Sequence, residues 1–184
     1  MNDLSAVFTP AQTDTPLGTF HLLFEGERLV YAGFSDPAEP GVRLPAILRR
    51  RLLGMRKPAA DSMESGSQEY PAHVQQAIGQ IQAYFSDDSL PFDIPLLLYG
   101  SRFQRAVWNQ LLAIEAGSTS TYGRVAAECG YPRAVRAVGS AVGSNPISII
   151  VPCHRVLPAG GGVGNYGGGP DKKEFLLKLE HAIN

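Results

Sequence analysis

The residues of this chain best suited to chemistry are Cys153 and His154, adjacent in sequence, and Glu180 close to the far end. Carbon is attacked by a thiolate rather than a thiol, so a nucleophilic cysteine needs a lowered pKa or a base. His154 is placed to take the proton, directly or through a water. A carboxylate is then wanted to orient the imidazole and stabilise its cation, and Glu180 supplies one if the terminal helix folds back. These three residues alone leave a structural cysteine open, because a lone Cys is usually a small buried hydrophobe. Cys129 is read in that way.

The elements around them are legible from spacing. Phe103, Val107, Leu111 and Ile114 recur on one face of a helix expected from Ser101 to Ile114. Tyr122 to Cys129 reads as a short helix, Gly130-Tyr131-Pro132 as a tight turn, and Arg133 to about Val142 as a second helix. That is the helix-turn-helix pattern. The second helix is rich in small residues that permit close approach to a surface, and Arg133 and Arg136, three apart, are expected on one face. The same features fit a small-residue contact inside the core. Ile147–Val151, apolar and β-branched apart from Ser148, reads as a buried strand ending at Pro152-Cys153-His154. Ala159–Gly169 holds seven glycines, so it can adopt positive φ and bring backbone amides close to a ligand. It lacks the Gly-Lys-Ser/Thr ending of a nucleotide-phosphate loop. Asp171 followed by Glu174 has the spacing of a capping box opening the last helix.

The first half reads differently. Thr15–Gly18 and Glu25–Arg28 are turns, with strands at Thr19–Phe24 and Leu29–Phe34 forming a hairpin. Residues 42–55 look helical and basic, residues 56–70 look like a polar surface loop, and Val74, Ile78, Ile81 and Phe85 mark an amphipathic helix. Pro91–Gly100 reads as a linker with an extended piece at Leu96–Tyr99, which places a domain boundary between residues 1–95 and 96–184.

Net charge is −1, but the average conceals an asymmetry. Residues 1–100 carry seven Lys/Arg against twelve Asp/Glu, whereas residues 101–156 carry six arginines against two glutamates. Such an imbalance points to an anionic partner for the second half. No run approaches the ~18 apolar residues of a membrane span, and the N-terminus lacks the pattern of a secretory signal. Two cysteines are too few for a disulfide scaffold and suit a cytoplasmic protein.

Val151-Pro152-Cys153-His154-Arg155-Val156 resembles the active-site hexapeptide of the O6-alkylguanine-DNA alkyltransferases. Thr15–Gly18, Tyr84-Phe85, Phe103–Trp108, Tyr122-Gly123, Arg136–Gly139, Asn145-Pro146, Gly164–Gly168 and Lys173–Leu177 through Glu180 follow in that family's order. The resemblance is near-continuous from Ser101 to His181 and thinner before. It implies an N-terminal ribonuclease-H-like α/β domain followed by a mainly helical, winged-helix-like helix-turn-helix domain. It also implies irreversible transfer of an alkyl group from O6 of guanine, and from O4 of thymine, in duplex DNA to Cys153. His154 would act through a water, with Glu180 completing the relay. Tyr122 would give the departing base a proton, Arg136 would replace the extruded nucleotide in the stack, and Asn145 would brace the turn before Cys153. Tyr166, the backbone around Gly167-Gly168 and the Val156 carbonyl would line the guanine pocket. Extrusion follows from geometry, since a buried base atom cannot meet a thiolate within the duplex.

Gly167 stands where many relatives carry Ser. The zinc site of some relatives is not expected here, because residues 1–100 hold no Cys and only His21 and His73. No cofactor or metal is implied, and the expected state is a monomer in solution; neighbouring copies on DNA are an idea the oppositely charged halves invite. Two rivals remain on the residues: a helix-turn-helix sensor with a structural Cys153, and a cysteine hydrolase using Cys153, His154 and Glu180.

Overall fold

A computed structural model of the chain describes residues 8–34, 44, 46–53, 70–86 and 91–184. Three strands, β1 (Phe8–Thr15), β2 (Gly18–Glu25) and β3 (Arg28–Phe34), form an antiparallel sheet in sequence order. The hairpin expected at β2–β3 is present; β1, unforeseen, pairs with β2 from Phe8↔Glu25 to Thr15↔Gly18. Two helices follow, α1 (Ala46–Leu53) and α2 (Ala72–Tyr84). Alternation along β2 sends Phe20, Leu22 and Phe24 into one core with Val74, Ala77 and Ile81 of α2. Val30 and Tyr31 of β3 instead pack with Leu48 of α1. The expected loop at 56–70 lies outside the described residues except for Tyr70, as do residues 42, 43, 45, 54 and 55 of the expected basic helix.

The outer edge of β3 does not face solvent. Leu29 N–H donates to the Pro95 carbonyl at 2.8 Å and Leu97 N–H to the Leu29 carbonyl at 2.9 Å, so the expected linker adds a short parallel pairing. Further along, Ala32 N–H donates to Pro146 O at 3.0 Å and Ser148 N–H to Ala32 O at 2.7 Å. The sheet of the first half therefore holds the segment that leads into Cys153.

In the second half, α3 (Arg102–Leu111) starts at Ser101 with a reciprocal capping box to Gln104 and stops three residues short of the expected Ile114. Trp108 Nε1 donates to the Ala141 carbonyl at 2.8 Å, fixing α3 against α5 (Val135–Gly143). Between them, β4 (Ser120–Thr121) runs into α4 (Tyr122–Glu128), whose end is a Schellman motif. Tyr131 N–H bonds Ala126 O, Gly130 N–H bonds Ala127 O, and Gly130 takes φ +81°, a conformation glycine adopts without cost. Arg133 lies in the turn before α5 rather than on the helix face that carries Arg136.

Two further expectations are corrected. Ile147–Val151 is not a strand but a compact turn, with Ile150 N–H bonded to Ser148 O and Val151 N–H to Ile147 O. Its apolar character reflects burial, not pleating. Ile149 sits there at φ +69° and is almost fully buried, a conformation costing on the order of 1–3 kcal/mol for such a residue. The final helix, α6 (Pro170–Leu179), is capped by Gly169 with Pro170 in its first turn, so Asp171 and Glu174 form no capping box. Glu174 pairs instead with Lys178 at 3.0 Å.

Candidate active site

Cys153 opens a single 3-10 turn, Cys153–Arg155, from which β5 (Val156–Leu157) leaves to pair in parallel with β4. That pairing, Ser120↔Val156 and Thr121↔Leu157, carries Tyr122 to the same side as the thiol. Asn145 determines the turn before it. Its Nδ2 donates to Val151 O at 2.7 Å, to Ile147 O at 3.3 Å and to Cys153 Sγ at 3.0 Å, while its Oδ1 accepts from Ile147 N–H at 3.1 Å. One side chain thus closes the turn and touches the sulfur.

His154 is fully buried, and its Nε2 lies 2.9 Å from Glu180 Oε1. Glu180 is not within α6 but at its C-cap, where it too is buried. Burial opposes the charge on Glu180, yet bonds from His154, Arg155 and Tyr84 outweigh it and hold the carboxyl at about 2. An ionised carboxylate can only accept, so Nε2 carries the hydrogen and Nδ1 presents a lone pair. That nitrogen is buried and has no protein partner. Burial also lowers the pKa of His154, more than Glu180 restores it, so the imidazole is neutral at rest.

Burial pushes the Cys153 thiol up as well, against the opposing effects of the Asn145 bond and the nearby Lys173 charge. Both shifts favour the uncharged forms, thiol and neutral imidazole, so a nucleophilic role for the sulfur would require its proton to leave in the same step. Lys173 is completely buried, with Nζ donating to Val156 O at 2.7 Å and its pKa depressed by burial to about 8. A carbonyl has a second lone pair, so this bond leaves Val156 O able to accept another donor.

A cavity of about 590 Å³ opens onto Cys153, walled by Tyr122, Gly139, Val142, Ser148, Tyr166 and Gly167 among others. Burial raises the Tyr122 and Tyr166 phenols, so both remain protonated near neutrality. Gly139 stands on α5 three residues after the exposed Arg136, and a Cβ there would meet the Tyr122 ring only at 3.8 Å. Among the sequence-derived candidates, the structure brings together Cys153, His154, Glu180, Asn145, Tyr122, Tyr166 and Gly167. Gly168 faces a neighbouring cleft beside β3, and Arg133 and Arg136 lie outside the cavity wall on the exposed surface. Sequence reasoning missed Lys173, Arg155 and Tyr84 as members of the site. Arg155 spans Glu180 with two bonds, Nε to Oε2 at 2.8 Å and Nη2 to Oε1 at 2.7 Å.

A buried cysteine backed by a histidine–glutamate pair, set beside a helix-turn-helix, defines a class: cysteine-nucleophile proteins built on a nucleic-acid-binding scaffold. Residues 102–182 match the family model described as 6-O-methylguanine DNA methyltransferase, DNA binding domain. The chain is 50% identical over 116 residues to the methylated-DNA–protein-cysteine methyltransferase of Mycolicibacterium paratuberculosis, covering 63% of this chain and 70% of that protein. It superposes on the crystal structure of Mycobacterium tuberculosis O6-methylguanine methyltransferase with a TM-score of 0.74 at 35% identity, covering 97% and 95% of the two chains. A crystal structure of the Mycobacterium tuberculosis protein in complex with DNA matches with a TM-score of 0.72 at 35% identity, covering 94% and 92%. The chain belongs to the methylated-DNA–protein-cysteine methyltransferase family.

Proposed function

We propose that this protein repairs duplex DNA by transferring the alkyl group of O6-alkylguanine, and of O4-alkylthymine, to Cys153 once per molecule. The sulfur attacks the alkyl carbon in line, the carbon–oxygen bond breaks, and a thioether forms. His154 Nδ1 takes the thiol proton through a water, and Glu180 stabilises the imidazolium. Tyr122 donates a proton as guanine leaves, because a neutral base departs more readily than its anion. The observation that carries this reading is Cys153 on a cavity that abuts α5, next in sequence to a His154 whose Nε2 is held by Glu180 and whose Nδ1 is buried without a protein partner.

DNA is the partner. Arg136 enters the stack in place of the extruded nucleotide, Arg133 contacts the backbone beside it, and α5 works from the minor groove. Tyr166, Val156 O, Gly167 and Gly168 hold the guanine, and Asn145 braces the turn. Residues 1–95 form a ribonuclease-H-like α/β domain and residues 96–184 a winged-helix-like alkyltransferase domain, acting as a cytoplasmic monomer without cofactor. Among the described residues, no helix is long and apolar enough to cross a membrane.

Thioethers offer no ready leaving group, so the protein is consumed. Mixing it with a duplex bearing one O6-methylguanine, then taking intact mass and peptide maps, tests this directly. One methyl on Cys153, never more than one per chain, is expected. An unmodified chain that still binds the lesion would instead support a sensor.

A further inference from the structure

We infer that Tyr84, on α2 in the first half of the chain, is a positioning residue of the transfer reaction: its hydroxyl holds Glu180 against His154 and limits the negative charge that reaches the imidazole. The inference rests on the roles proposed above for Cys153, His154 and Glu180.

Tyr84 is almost fully buried, and its hydroxyl donates to Glu180 Oε1 at 2.6 Å. The same oxygen accepts from His154 Nε2 at 2.9 Å and Arg155 Nη2 at 2.7 Å. The Tyr84 ring is fixed by Phe85 and Phe92, each with its centroid at 5.4 Å. This contact crosses 96 residues of sequence and comes from outside the segment matched by the family model. A carboxylate oxygen shared among three donors has less charge to give each of them. Removal of one neutral donor leaves more for the remaining two, and the imidazolium becomes easier to form.

The surrounding groups set the sign. Glu180 is faced by Tyr84 from α2 and by His154 and Arg155 from the 3-10 turn. His154 is faced by Glu180, by Arg155, by Lys173 of α6 and by the Tyr166 ring at 6.5 Å. Cys153, its chain neighbour, is faced by Asn145, Lys173, Tyr122 and Tyr166. Arg155 and Lys173 disfavour a charged imidazole and Glu180 favours it. Tyr84 is the neutral member, since burial and the adjacent carboxylate keep its phenol protonated far above the usual range. It therefore weakens the influence of Glu180 on His154 without adding a charge, which keeps His154 neutral and able to accept a proton at lower pH.

The test uses the full chain and free O6-benzylguanine, which needs no nucleotide extrusion. The rate of benzyl transfer to Cys153 is followed by intact mass from pH 5 to 9 in the wild type and in Tyr84→Phe, with thermal melts to confirm folding. In Tyr84→Phe the acid limb of the profile should move up by about one pH unit. Below that limb the rate should fall on the order of tenfold, while above pH 8 it stays within about twofold. A 3-fluorotyrosine at position 84, a stronger donor, should move the limb the other way. Superimposable profiles, or an equal loss at every pH, would overturn the inference. If Tyr84→Phe does not fold, the fluorotyrosine protein decides alone, and a limb that stays in place counts against Tyr84. Absence of transfer in the wild type would instead remove the proposed function itself.

Discussion

The sulfur of Cys153 is held by a side chain rather than by a charge, and this separates attachment from reactivity. Truncation to Ala removes a small, buried atom that offers DNA little area. Cys153→Ala should therefore abolish alkyl transfer while leaving affinity for the lesion duplex within about twofold, as read by mass and by titration. Persistent transfer would show another nucleophile. Asn145 does more than touch the thiol, because it also satisfies two carbonyls and one N–H of the turn. Asn145→Ala should lower stability by about 2 kcal/mol in urea unfolding, since each unmet buried group costs roughly 1–3 kcal/mol. It should slow transfer as well; an unchanged urea midpoint would contradict the bracing role. Cys153, His154 and Glu180 were readable from their types and order. Arg155, Lys173 and Tyr84 were not, because a cation or phenol committed to a distant buried acceptor has no local periodicity to reveal it. Arg155 was instead counted among the six arginines of residues 101–156, although its side chain is only 11% exposed and bound to Glu180.

At the scale of elements, helical periodicity served well and apolar runs served poorly. The turn after α4 and the helix α5 are read from Gly130-Tyr131-Pro132 and from the small residues that follow, and Val138, Ala141 and Val142 of α5 are buried. The Ile147–Val151 run has the composition of a strand, but Asn145 offers its backbone competing hydrogen bonds and turns it into a tight loop. The strand β1 escaped notice because its buried positions are only Ala11 and Thr13, and its one large apolar residue, Phe8, stands at its very start. Four of the six arginines in the basic segment, Arg102, Arg105, Arg133 and Arg136, are exposed and form no ion pair among the described residues, whereas Arg124 bonds Glu128 at 2.9 Å. Arg136 is on α5, whose Gly139 lines the cavity. Arg136→Ala should slow repair of a duplex by about tenfold or more, yet leave reaction with free O6-benzylguanine within twofold, since only the duplex pays for unstacking. Equal slowing on both substrates would assign Arg136 to the chemistry and not to extrusion.

Across the whole molecule, the His154–Glu180 pair is a structural joint. One apolar core contains Phe20, Leu22 and Ile81 from the first half with Trp108, Val138 and Val151 from the second, and Glu180 ties both halves to its single carboxylate. Stability should accordingly depend on the protonation of that carboxylate. Its folded pKa, about 2, lies below the ordinary 4.5, so the unfolded chain binds the proton more readily. The stabilisation is complete above pH 4.5 and is lost as pH falls toward 2. His154, whose folded pKa is also lowered, acts in the same direction: unfolding takes up a proton below about 6.5, and stability declines as pH drops. Lys173 contributes in a separate alkaline window, where its depressed pKa makes stability rise between about 8 and 10.5. Urea midpoints should therefore decrease from pH 7 downward, gently at first and then steeply below 4.5. Glu180→Gln should be destabilised by about 3 kcal/mol at pH 7, because Arg155 loses its buried counter-charge. The gap between the two proteins should close as pH approaches 3, where the wild-type carboxylate is losing its advantage. A gap that stays constant from pH 7 to 3 would mean that Glu180 stabilises the joint by shape alone, and that its charge is held for the chemistry.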